Sequence, residues 1–146
     1  MDASQAPKVK LLIDGEFVDS ATNDWLPVLN PATQEVLAHV PMATEDEVNR
    51  AVASAQAAFR QWRKTPISTR ERIFLRYQHL IREHMDELAA TLTAEQGKTL
   101  PDAAGDVFRG LEVVEHASAI GNLQMGELVN NVATEVDTYT VLQPLG

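Results

Sequence analysis

Apolar positions along the chain change rhythm twice. Near the start they come in short extended runs: Leu11-Leu12-Ile13 and Glu16-Phe17-Val18 flank Asp14-Gly15. Asp-Gly tolerates the positive φ angles of a two-residue type I′ turn, so strand, turn and strand are predicted. A second extended pair is predicted from Trp25 to Leu29 and from Glu35 to Val40, joined by the turn Asn30-Pro31-Ala32-Thr33-Gln34. Pro27 cannot donate to a ladder, which marks its strand as an edge or bulged one.

The period then becomes helical. Thr44 with Glu47 three residues later forms a capping box, and Glu45, Asp46 and Glu47 put negative charge at the positive end of the helix dipole. Val48, Val52, Ala55, Phe59 and Trp62 make one apolar stripe, predicting a helix from Glu45 to Arg63 that Lys64-Thr65-Pro66 breaks. Ser68 and Glu71 read as a second capping box. The stripe Ile73, Tyr77, Leu80, Ile81, Leu88 and Leu92 then predicts one long helix as far as Gly97, a left-handed cap. A third helix is predicted from Thr99 or Pro101, with Ala104, Val107, Leu111, Val114 and Ser118 on one face, until Gly121. Thr134 to Leu142 alternates as a strand does, and Pro144-Leu145-Gly146 follows. The elements predict an α+β fold, with helices over a small antiparallel sheet. The last strand has no neighbour in sequence and needs a distant strand, another subunit or missing sequence.

Composition narrows the chemistry. With 146 residues the chain has the length of one domain, and its 45% hydrophobic content is ordinary for a globular protein. A net charge of −9 opposes a phosphate backbone and argues against nucleic acid as a partner. No apolar run approaches the roughly 20 residues that span a bilayer. The opening Met1-Asp2-Ala3-Ser4-Gln5-Ala6-Pro7 lacks the pattern of a secretory or arginine-rich presequence, so a cytoplasmic location is expected. Cysteine is absent, which removes disulfides, thiolate metal sites and a cysteine nucleophile.

Few residues suggest a site. The glycines include no Gly-x-Gly, and Gly105 with Gly110 has the Walker spacing but is followed by Leu111-Glu112 where Lys-Ser/Thr must stand, so a phosphate cradle is rejected. Among His39, His79, His84 and His116, only the pairs His79 with Glu83 and Glu112 with His116 share a helix face, too few donors for zinc. Seven of the twelve basic residues lie between Arg60 and Arg82, which reads as a helix C-terminus and a solvated face, or as a surface for an acidic partner. Arg109 stands mid-helix between Gly105 and Gly110, where glycines suggest close packing. Its guanidinium has two readings: an intrahelical ion pair with Asp106 or Glu112, or a fork held for a carboxylate.

Four segments in register resemble the N-terminal part of the aldehyde dehydrogenase superfamily. They are Ile13-Asp14-Gly15-Glu16-Phe17-Val18, Asn30-Pro31-Ala32-Thr33-Gln34-Glu35-Val36, Ala58-Phe59-Arg60-Gln61-Trp62 and Glu95-Gln96-Gly97-Lys98-Thr99-Leu100. Gly105 to Leu111, Val113-Val114-Glu115-His116 and Met125-Gly126-Glu127 resemble the CoA-acylating methylmalonate-semialdehyde dehydrogenases within it. Gln34 departs from the pattern, standing where many members have glycine.

That resemblance implies NAD-dependent oxidation of malonate or methylmalonate semialdehyde, loss of CO2 and release of acetyl-CoA or propionyl-CoA, as in valine or inositol breakdown. A cysteine thiolate attacks the aldehyde, hydride passes to NAD, and CoA takes the acyl group. No residue here can be that cysteine. The chain therefore resembles an N-terminal portion that ends before the cofactor core, inactive alone and binding neither NAD nor CoA by itself. Arg109 matches the family arginine that faces the substrate carboxylate, while no catalytic, cofactor-binding or metal residue is assigned. The resemblance assigns residues 1–132 to the hairpins and helices of the cofactor domain. It assigns 133–146 to a strand of the bridging oligomerisation sheet and the lead into the cofactor core. Expected partners are the rest of the subunit, sister subunits in a homotetramer, and a small semialdehyde. The alternative is a non-catalytic interaction module of the same descent.

Overall fold

A computed structural model describes residues 6–146. Three two-stranded antiparallel hairpins frame a group of helices. β1 (Leu11–Ile13) pairs with β2 (Glu16–Val18) in the register Ile13 to Glu16. Asp14 and Gly15 take φ +57° and +78°, the left-handed pair predicted for that turn. β3 (Trp25–Leu29) pairs with β4 (Val36–Pro41), with Pro27 opposite His39 and a register shift at Val28–Leu29, so the proline sits on a bulged edge strand as expected. The preceding chain adds to the other side of β4, Val9 N–H donating to His39 O (2.8 Å) and His39 N–H to Pro7 O (2.9 Å).

The turn between β3 and β4 explains the departure at position 34. Gln34 holds φ +61°, and the Asn30 side chain accepts from Ala32 N–H (2.9 Å) to close the turn around it. A side chain with a Cβ costs about 1–2 kcal/mol in that region. Gln34→Gly should therefore raise stability by about 0.5–1 kcal/mol, the gain being cut by the freer unfolded glycine, and a thermal melt should show it as a small rise in Tm. A fall in Tm would mean that the Gln34 amide bond to Pro31 O (3.0 Å) outweighs the backbone cost.

The first helix, α1 (Glu45–Trp62), begins as predicted, with Thr44 and Glu47 closing both halves of the capping box. Its apolar stripe is present but largely uncovered: Val48, Val52 and Trp62 are exposed, because α1 meets chiefly the short β1 rather than a full layer.

The predicted long helix is two helices, α2 (Ile67–Glu83) and α3 (Met85–Gln96), meeting at His84, whose φ −106° and ψ 18° interrupt the helical path. His84 Nδ1 lies 3.0 Å from a Glu87 carboxylate oxygen, and Asp86 and Glu87 start α3 as acids should start a helix. Ser68 is not a cap. The helix begins two residues earlier, with Thr69 N–H and Arg70 N–H donating to Pro66 O, which places Ser68 inside the first turn. Glu71 is thereby free to accept from Gly121 N–H (3.0 Å), fifty residues away.

α4 (Leu100–Ser118) has Thr99 as its N-cap, and a short α5 (Ile120–Leu123) follows. α4 packs against both α2 and α3, and the core lies there: Ala89, Ala103 and Leu111 are buried. The last strand differs from expectation. β5 (Leu128–Ala133) pairs with β6 (Val136–Tyr139), so the strand expected to lack a neighbour finds one immediately upstream. Its turn, Thr134-Glu135, has no glycine or asparagine to announce it, and Glu135 takes φ +62° instead. Every residue of this hairpin is exposed.

Candidate functional site

Two carboxylates organise the polar chemistry. Glu47 is buried at the start of α1, where Ala21 N–H (2.7 Å), Thr44 N–H (2.8 Å) and the Ser20 hydroxyl (2.9 Å) all donate to it. The Ala21 and Thr44 backbone donors, with Ser20 behind them, hold its carboxyl at about 2, below the ordinary 4.5. Because the folded value is the lower one, this stability is fully present above pH 4.5 and is lost as pH falls towards 2. Glu47→Gln should flatten the acid limb of a stability–pH curve in that window, and an unchanged limb would assign acid sensitivity elsewhere. Sequence reading assigned Glu47 only to a cap. Its contacts with the loop after β2 carry no local signal.

The second carboxylate belongs to the Arg109 neighbourhood. Gly97 ends α3 with φ +76°, its N–H donating to Thr93 O (2.8 Å), and the chain turns at once into α4. Thr99 caps α4, accepting from Asp102 N–H (3.3 Å), and Pro101 occupies the first turn, where a missing N–H costs nothing. Asp106, one turn before Arg109, accepts from Arg109 Nη1 on Oδ1 (3.3 Å) and from Lys98 Nζ on Oδ2. The hydrogen bond and charge of Lys98, with a smaller part from Arg109, hold the Asp106 carboxyl below the usual carboxylate range.

The Arg109 side chain is 79% exposed, so the intrahelical ion pair is formed while most of the guanidinium still faces outward. Gly105 and Gly110 are not sites of close approach: a Cβ at either meets nothing within 4 Å among the described residues. Lys98 is the member that sequence reading passed over, since an eight-residue separation across a helix cap has no periodic signature.

The basic stretch disperses. Arg82 bonds Glu115 (2.7 Å), which also accepts from Gln78 (2.9 Å), and these two donors lower the Glu115 carboxyl. Arg63 lies over the Phe59 ring. His79 meets Glu83 (3.4 Å), but no three histidine or acidic side chains converge among the described residues. No glycine-rich turn joins a strand to a helix there either, since Gly105 and Gly110 lie within α4. These residues do not fit a dinucleotide cradle. No described helix is long and apolar enough to cross a membrane.

Comparison with known proteins agrees with this fold. Over 140 residues, 96% of the chain, it is 54% identical to the mitochondrial acylating methylmalonate-semialdehyde dehydrogenase of Arabidopsis thaliana. It is 48% identical over 144 residues to the mitochondrial human methylmalonate-semialdehyde/malonate-semialdehyde dehydrogenase. The chain spans 23% and 27% of those two proteins, about a quarter of their length. Among solved structures, 98% of it superposes with a TM-score of 0.92 and 37% identity on a Sinorhizobium meliloti 1021 protein, assigned as a methylmalonate-semialdehyde dehydrogenase and solved with NAD. The match covers 29% of that protein. The methylmalonate-semialdehyde dehydrogenase of Oceanimonas doudoroffii gives 0.90 at 34% identity, over 95% of this chain and 28% of its own. The family description "Aldehyde dehydrogenase family" matches residues 17–146, and with the same backbone found in its solved relatives, this chain belongs to the aldehyde dehydrogenase family.

Proposed function

We propose that the chain is the N-terminal quarter of an NAD-dependent, CoA-acylating methylmalonate- or malonate-semialdehyde dehydrogenase that releases propionyl-CoA or acetyl-CoA with loss of CO2. The observation that carries this reading is the roughly half-identical match to such enzymes along nearly the whole chain. Arg109 supplies the chemistry available here: an outward guanidinium that pairs with the carboxylate of the semialdehyde and orients it. The nucleophilic thiol and the cofactor site belong to the other three quarters, because the 146 residues include no cysteine and the described ones form no cradle.

In the same reading, the chain up to the β5–β6 hairpin is the hairpin and helical part of the cofactor domain. The boundary expected at 132/133 falls inside β5, so β5 and β6 together begin the oligomerisation sheet, whose subunits form a homotetramer, and the chain after them leads into the cofactor core. The exposed stripe of α1 supports burial by the remaining length, but would equally suit a free-standing interaction module. A cytoplasmic location remains part of the proposal, and mitochondrial fluorescence of a C-terminally tagged chain would overturn it.

The deciding experiment pairs this chain alone with a chimera in which it is followed by the remaining length of the Arabidopsis relative. With malonate semialdehyde, NAD and CoA, the chimera should form NADH and acetyl-CoA, and the chain alone neither. Turnover by the chain alone would remove the need for a cysteine. A folded chimera that binds NAD but does not turn over would favour the interaction module.

A further inference from the structure

Arg109 is a long, flexible side chain on an exposed helix face, and holding it in one rotamer costs entropy. A bidentate grip on a carboxylate requires the guanidinium plane to be set beforehand. Asp106, one turn back, restrains Nη1 through Oδ1. A lone aspartate would also cancel the charge that is to attract an anion. Lys98, bound to the other oxygen of Asp106, restores it, so the group of three keeps a net positive charge in a chain whose net charge is −9.

The position of Lys98 is itself built. Gly97 takes φ +76°, and a Cβ there would lie 2.7 Å from Pro31 Cγ, so the proline ring of the β3–β4 turn closes the space beside the α3 cap. From that cap the Lys98 side chain, 28% exposed, reaches back to Asp106. Pro31 and Gly97, which are far apart in sequence, thus meet at the cap from which Lys98 reaches the partner of Arg109.

We propose that Lys98, placed by the Pro31–Gly97 contact and acting through Asp106, is a positioning residue that holds Arg109 oriented for the substrate carboxylate. This rests on the reading of Arg109 given above. In the active chimera, Lys98→Met should lower kcat/KM for malonate semialdehyde about 10-fold, chiefly by raising KM, and leave propanal within about twofold. Lys98→Arg should recover most of the loss.

Arg109→Leu is run beside it. If Arg109→Leu discriminates between the two aldehydes and Lys98→Met does not, Lys98 only ties the helix cap and the inference falls while the Arg109 reading stands. If Arg109→Leu itself fails to discriminate, that reading falls and takes the inference with it. Where the Lys98→Met chimera does not fold, NMR of the 146-residue chain decides: the Arg109 Nε–H should become more mobile on Lys98→Met, and an unchanged order parameter overturns the proposal.

Discussion

Arg109→Leu, introduced into the active chimera, is expected to lower kcat/KM for malonate semialdehyde by about 10²-fold and to spare an uncharged aldehyde of similar size. The magnitude follows from the chemistry: a charge-assisted hydrogen bond contributes about 1.5–3 kcal/mol, and about 1.4 kcal/mol is tenfold in rate. Leucine keeps the helix propensity of the site while removing the donors. The exposure of Arg109 makes a general loss of stability a poor competing account, since the side chain is 79% solvent-accessible and its ion pair with Asp106 is an exposed i,i+3 contact of small worth. Equal losses for charged and uncharged substrates would remove the carboxylate role and leave Arg109 as a surface partner of Asp106.

Leu111→Ala should unfold the helical part of the isolated chain at a temperature where the parent is folded. Among the described residues Leu111, 1% exposed, is the largest fully buried side chain, with Ala89 and Ala103 the other buried apolar residues of the helices. Truncating a buried leucine costs about 2–5 kcal/mol, a large share of the roughly 5–15 kcal/mol that keeps an ordinary domain folded. Circular dichroism at the helical wavelength reads the loss directly. Leu145→Ala is the control, because Leu145 is fully exposed and its truncation removes no packing. If the two variants melt alike, the contact of α4 with α2 and α3 does not hold the helices together.

These two residues stand at opposite ends of what could be read in advance. Leu111 lay on a helical stripe that pointed inwards, and the prediction held because α4 has helices on its buried side. The stripe of α1 obeyed the same spacing and came out exposed, since periodicity reports which face is apolar and not whether anything covers it. The Thr44 and Gly97 caps, the Asp14-Gly15 turn and the edge proline Pro27 were legible because each is decided within a few residues.

The failures are of the opposite kind. Ser68 with Glu71 satisfied the capping pattern, yet Glu71 serves Gly121. The break at His84 had no proline or glycine to mark it. The β5–β6 hairpin was missed because Glu135 adopts a left-handed conformation that its side chain does not advertise.

Sequence alone therefore determined the element types, most of their ends, the family resemblance and the choice of Arg109 as the residue to watch, since backbone propensity, capping and motif spacing are local or pattern-level properties. Only the tertiary structure decided that Glu47 is buried under three donors, that Lys98 and Arg109 share Asp106, and that Pro31 abuts Gly97. Those contacts join residues whose separation along the chain has no fixed relation to their separation in space, and packing is what sets it.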